Sequence, residues 1–314
     1  MVKTTTVENH NFICPACGDE LGRDLSGKGY VRHRSNPTCQ FEKGQKDSFP
    51  GMTMNRPAVL VSKPIALPDS VTVCGYSERG AFNALLHEIS YSDNANELLM
   101  RFLNLVRMPR GAIQHEVIDG VEVLLEPSLS DFGNPDAVAL IHGANRRCVV
   151  FFEGKVKTSR SGSWTIEKEW TKFTAGVKVK VESSNLFTQL YHKVRFVSAL
   201  RSVGVSGLQN GIEFPVCSRK QLRKIGDNSV VLRTAAQISN YLDLVQFVAV
   251  VPDSPRRVEA FFRDVLPNQS PGNLQGWDVS RWGYLCWSDV EEFCRQNQLM
   301  NSLRMFEFNR GQIC

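Results

Sequence analysis

Asn134-Pro135-Asp136-Ala137-Val138-Ala139-Leu140-Ile141-His142, then Gly143-Ala144-Asn145-Arg146, then Arg147-Cys148-Val149-Val150-Phe151-Phe152-Glu153-Gly154-Lys155, is the stretch on which the reading of this chain turns. Both arms are aliphatic, β-branched or aromatic, and Gly and Asn lie between them, which predicts a β-hairpin. Whether the turn is Ala144-Asn145 or the four residues 143–146, residue i faces residue 289 − i, so Asp136 lies opposite Glu153. Opposed residues of an antiparallel pair project to one face. Lys155, two positions on, shares that face. Cys148–Phe152 is apolar at every position, as in a strand covered on both sides, so Glu153 and Lys155 emerge where a core strand ends. Two carboxylates and an ammonium at such a place can hold a divalent cation and neutralise charge on a phosphate.

Outward from the hairpin the pattern stays globular. Helices are predicted at Glu78–Ile89 and about Ala95–Val106, the second with an apolar stripe through Leu98, Leu99, Phe102, Leu105 and Val106. Asn94, with Glu97 three residues later, has the layout of a capping box. Strands are expected at about 113–118 and 121–126, before the hairpin. A basic loop follows it, with Lys155, Lys157, Arg160, Lys168, Lys172, Lys178 and Lys180. Ser183-Ser184-Asn185 can cap a helix to about Arg201, in which Leu186, Leu190, Val194 and Val197 recur at helical spacing. Val245–Val251 reads as a strand, Pro255–Val265 as a helix and Trp282–Trp287 as a strand. A last helix opens with the capping pattern Ser288-Asp289-Val290-Glu291. This order predicts an α/β fold, a mixed central β-sheet flanked by helices. Trp277, Trp282 and Trp287 are expected in the core. His142 is expected as a turn residue at the far end of the strand from Asp136, and His115 is a second histidine considered as a base.

Pro135-Asp136, sixteen residues, then Glu153-Gly154-Lys155 resembles the signature of the PD-(D/E)xK nuclease superfamily, which includes many restriction endonucleases and repair or defence nucleases. The resemblance covers roughly residues 78–200. It implies a restriction-endonuclease-like core and hydrolysis of phosphodiesters with Mg²⁺ or Mn²⁺. It makes Asp136 and Glu153 the metal ligands and Lys155 the catalytic cation. Relatives often carry a glutamate on the helix before the sheet; Glu97 is taken for it, with Glu88 and Glu78 as rivals. They often place a glutamine on the helix after the lysine strand, and Gln189 stands there, although the glutamine-to-tyrosine spacing of one branch is not reproduced. The resemblance implies DNA as the substrate and is compatible with a restriction or host-defence role; many such enzymes act as homodimers, on which the sequence is silent.

Near the start, Cys14-Pro15-Ala16-Cys17 is followed by fifteen residues, His33, five more and Cys39. Three thiolates and an imidazole at this spacing suit tetrahedral, structural zinc, with His10 as a poorer substitute ligand. Residues 1–48 are therefore expected to form a zinc finger, 49–76 a proline-bearing linker, and 77–314 the nuclease-like domain with a C-terminal extension. Arg23, Lys28, Arg32 and Arg34 around Tyr30 suit phosphates and a stacked base.

The chain has 314 residues, a formal charge of +5 and nine cysteines. The mild positive charge permits a nucleic-acid partner without requiring one. No run of about 18 apolar residues exists, so no membrane span is expected, and no signal-peptide layout is seen. The six cysteines outside the finger spacing form no disulfide framework, which predicts a reduced, cytoplasmic setting. Two alternatives keep the fold and change the function: an inactive nucleic-acid-binding or assembly protein working through the finger, or an RNA endonuclease.

Overall fold

The computed structural model describes residues 12–13, 20–23, 31–33, 61–62, 78–109, 118–143, 145–157, 164–176, 184–213, 222–268, 274, 276–308 and 313. Four short strands, β1 (Phe12–Ile13), β2 (Glu20–Arg23), β3 (Val31–His33) and β4 (Val61–Ser62), pair antiparallel in the order β3-β2-β1-β4. The expected zinc ligands Cys14, Cys17 and Cys39 lie outside the described residues, as do the considered histidines His10 and His115. His33 is described only as the last residue of β3.

From Glu78 onward the chain is mixed α/β. Helices α1 (Glu78–Ser90) and α2 (Ala95–Leu103) lead into β5 (Ile118–Leu125), β6 (Ala137–Gly143) and β7 (Arg147–Gly154). Then come α3 (Ile166–Gly176), α4 (Leu186–Asn210), a small pair β8 (Ile212–Glu213) and β9 (Leu222–Arg223), and α5 (Ser229–Ser239). Strand β10 (Leu244–Val251), α6 (Pro255–Ala260), β11 (Trp282–Cys286), α7 (Trp287–Gln296) and α8 (Met300–Phe308) complete it. The five-stranded sheet runs β11-β10-β7-β6-β5, with β5, β6 and β7 antiparallel and β7, β10 and β11 parallel. Strand β10, Leu-Val-Gln-Phe-Val-Ala-Val-Val, has a parallel neighbour on each side and helices on each face, which accounts for its nearly unbroken apolar run.

Alternation along the strands sorts the core into two layers. Val138, Leu140, Val149, Phe151, Phe247 and Trp282 face α4, α3 and α5. Ala137, Ala139, Cys148, Val150, Phe152 and Val250 face α1, α2, α7 and α8. Trp282 and Trp287 are fully buried, one in each layer, and Trp277 packs against the first. Each large apolar side chain so covered contributes about 1.5–3 kcal/mol.

Several expectations change. Of the strands expected at about 113–118 and 121–126, residues 113–117 lie outside the described residues, and the second is β5, which begins at Ile118 and whose pairing slips between Ile118 and Gly120, the mark of a bulge. Part of the basic loop is helix α3, whose Ile166, Trp170 and Phe173 are buried. Helix α4 continues past Arg201 to Asn210 by absorbing a non-helical residue at Gly204. Asn185 caps α4 by accepting from the Thr188 amide at 3.1 Å, whereas Asn94 makes no side-chain cap bond to α2. Helix α7 starts at Trp287, directly after β11, so the Ser288–Glu291 pattern lies inside it and does not cap it.

Candidate active site

The register of β6 on β7 is Ala137↔Phe152 through His142↔Arg147, the i-to-(289 − i) pairing that the hairpin spacing predicts. One step beyond it, the Asp136 amide donates to the Phe152 carbonyl at 3.1 Å, which sets Asp136 beside Glu153 at the end of the ladder. Both are buried, at 3% and 2% relative exposure. Asp136 Oδ2 accepts from the Gly154 amide at 2.7 Å, a bond that pins the aspartate across the strand pair. Glycine at 154 is sterically required. A Cβ there would lie 2.9 Å from Glu78 Cβ, 3.1 Å from the Phe82 ring and 3.3 Å from Asp136 Oδ2.

Beyond β7 the chain keeps its line. The Lys155 amide donates to the Val250 carbonyl at 2.8 Å, and Trp287 Nε1 donates to the Lys155 carbonyl at 2.9 Å. With its backbone held on two sides, the Lys155 side chain returns to the site. Its Nζ donates to Glu153 Oε1 at 3.2 Å and to Gln189 Oε1 at 2.5 Å. Gln189 is in the first turn of α4. One helical turn on, at i+4 on the same face, Lys193 is fully buried and its Nζ lies 3.7 Å from Glu153 Oε2. Gly133 makes room for it: a Cβ at 133 would stand 3.2 Å from that Nζ, and the backbone there has φ +77°.

The two lysines differ electrically. Burial pulls the Lys155 ammonium toward neutrality, but Glu153, Asp136 and Glu78 outweigh it and its pKa is raised. For Lys193, burial wins over Glu153 and Asp136, the charge on Lys155 adds to it, and the pKa is lowered.

Asp136, Glu153, Lys155 and Gln189 thus stand together. Glu97 does not join them: it is exposed on the first turn of α2, while the neighbouring Leu98 and Leu99 turn inward. Glu88 is engaged elsewhere, accepting from the Asn301 and Ser302 amides at the start of α8. Of the three glutamates considered, Glu78 is the one near the cluster, acting electrostatically on Lys155. Lys193 was not singled out in the sequence; its i+4 spacing from Gln189 was the available signal.

The cluster offers a cation two carboxylates. Among the described residues, no group of three or more His, Cys, Asp or Glu is arranged to hold a metal ion. Two carboxylates nevertheless suit magnesium, which keeps several waters and takes one or two carboxylates together with substrate phosphate. A cleft of about 560 Å³ lies elsewhere, lined by Arg107, Met108, Phe262, Arg263 and Tyr284 among others; none of the cluster residues borders it. His142 is at the far end of β6, with Nε2 against the Tyr241 hydroxyl. No helix among the described residues is long and apolar enough to cross a membrane. No protein-family model, curated protein or solved structure matches the chain, so the reading of the site rests on its geometry and chemistry.

Proposed function

We propose that the chain is a metal-dependent nuclease of PD-(D/E)xK type, acting on DNA. The observation that carries this reading is the buried, opposed pair Asp136 and Glu153 at a strand end, with the Lys155 ammonium bonded to one of them and steadied by Gln189. Asp136 and Glu153 would hold Mg²⁺ or Mn²⁺, which when bound polarises the scissile phosphate and activates a water. Lys155, kept protonated by its three acidic neighbours, neutralises charge that grows on the phosphate. Gln189 fixes the rotamer of Lys155, so that little reorganisation is needed during reaction. The Gly154 amide holds Asp136 in place from behind. The long α4 shields the cluster from one side, which strengthens each of these interactions by excluding water.

Incubation with Mg²⁺ and supercoiled plasmid, single-stranded DNA and RNA in parallel tests the reading. Native protein should nick or linearise DNA, and Asp136→Ala and Lys155→Ala should each lose at least about a hundredfold in rate. Cleavage that survives both changes sinks the assignment, and cleavage confined to RNA changes the substrate. The amino-terminal Cys14, Cys17, His33 and Cys39 are proposed to hold one structural zinc. Metal analysis of the purified chain should find one zinc ion, lost in Cys14→Ser.

A further inference from the structure

Glu153 has an ammonium at each oxygen. Oε1 accepts from Lys155 at 3.2 Å, and Oε2 faces Lys193 at 3.7 Å. The second pair is too long for a hydrogen bond, and neither Oε2 nor the Lys193 Nζ has a hydrogen-bond partner among the described residues. A lysine at 0% exposure whose one ion pair among the described residues is this loose contact, with Asp136 acting only at longer range, is costly for a fold to keep, since taking an ammonium out of water costs several kcal/mol. Glycine at 133 is what leaves space for it. Hydrolysis through two metal ions needs carboxylate oxygens for both. Here Asp136 Oδ2 already accepts from the Gly154 amide and both Glu153 oxygens face ammoniums.

From this geometry we infer that Lys193 is a resident counter-cation occupying the place of a second metal ion, so that the site takes one divalent cation and not two. The inference rests on the nuclease reading and deepens it: Asp136 and Glu153 share a single ion, and Lys193 supplies from the protein the remaining positive charge that faces the phosphate. Lys193 is then a positioning residue. It holds Glu153 from the side opposite Lys155 and restricts how that carboxylate can turn toward a metal.

The test is a count of Mn²⁺ bound to the full-length chain without substrate, by titration calorimetry and electron paramagnetic resonance, with Glu153→Gln as the blank for ions held elsewhere. The native chain should bind one ion above the blank and give the spectrum of an isolated Mn²⁺. Lys193→Met, which keeps the length and removes the charge, should bind that ion at least about tenfold more tightly or take up a second. Two ions in the native chain, or a spin-coupled pair, overturn the inference and leave the nuclease reading standing. One ion in both proteins at equal affinity also overturns it. No ion above the blank in the native chain removes the nuclease reading as well, so the two failures are distinct. If Lys193→Met does not fold, the count and spectrum of the native chain still decide between one ion and two.

Discussion

The central hairpin has a polar cluster at each end, built from similar residue types in opposite surroundings. At the turn end, His142 meets the Tyr241 hydroxyl, the Arg147 amide donates to Asp243 at 2.8 Å, and the Arg147 guanidinium lies 5.9 Å from the centre of the Tyr241 ring. Arg147 and Asp243 are exposed and His142 is half-buried. At the other end Asp136, Glu153 and Lys193 are almost wholly excluded from water. Water solvates the turn-end charges, so they cost little to keep and add little to stability. The charges at the site end have lost that solvation, and apolar side chains of the same volume would often hold a core equally well or better. Such a set runs against local stability, which is what the proposed site would require of the fold.

The largest expected effect breaks this contrast. Glu153→Ala takes from the buried Lys193 its one ion-pair partner among the described residues and from Lys155 the carboxylate it bonds, leaving Asp136 as the acid near both, which should cost about 3–5 kcal/mol of unfolding free energy and abolish hydrolysis. The double variant Glu153→Gln, Lys193→Met removes both charges. It should recover most of that stability in denaturant titrations while remaining inactive. A Glu153→Ala protein as stable as the native one would show that the cluster is more hydrated than its burial implies.

A second change sharpens the contrast without removing any charge. Gly154→Ala brings a methyl group against Glu78, Phe82 and Asp136 Oδ2, and overpacking of this kind costs about 1–3 kcal/mol. Because the displaced atoms include the proposed metal ligand, hydrolysis should fall about a hundredfold even at temperatures where the variant is fully folded, a sensitivity to small misplacement that oriented sites have. Unchanged kinetics with an unchanged melting temperature would mean that the strand end relaxes freely.

The third prediction uses pH. His192, on the helix that carries Lys193, is buried, and burial, with the charges of Arg223 and Lys193, holds its pKa well below the ordinary value of 6.5. The unfolded chain therefore binds a proton below about pH 6.5 that the folded chain refuses. Stability should be unaffected by this group above pH 6.5 and should fall by about 1.4 kcal/mol per unit as pH drops below it, until the folded-state pKa is reached. His192→Gln should flatten that slope in unfolding titrations between pH 6.5 and 5. A slope that persists in the variant would have another source.

The hairpin is legible because two unbroken apolar arms, a Gly-Asn turn and the period of two fix register without any knowledge of the neighbouring elements. Asp136, Glu153 and Lys155 follow from that register alone. The choice of Glu97 failed for a different reason. Helical periodicity tells which face of α2 is buried but not which helix start abuts the end of β7; that start belongs to α1, at Glu78. Lys193 is hidden by its chemistry, since a lysine in an amphipathic helix ordinarily reaches water, and its i+4 spacing from Gln189 does not by itself mark it as the one that points at a glutamate from another element. Helix α3 was passed over because its lysines and glutamates outnumber the Ile166, Trp170 and Phe173 that anchor it.

The smallest effect belongs to the turn end and serves as the control. Tyr241→Phe deletes the hydroxyl that meets His142 and leaves the ring against the imidazole, whose centroid is 4.9 Å away. A single side-chain hydrogen bond of this kind contributes about 0.5–1.5 kcal/mol net, so the melting temperature should drop by a few degrees at most. Hydrolysis should be unchanged, because the contact is one full strand length from Asp136 and Glu153 and no charge near them is altered. If Tyr241→Phe instead slowed cleavage by tenfold or more with the fold intact, the two ends would be coupled through β6, and the division of the hairpin into a solvated structural end and a buried chemical end would not hold.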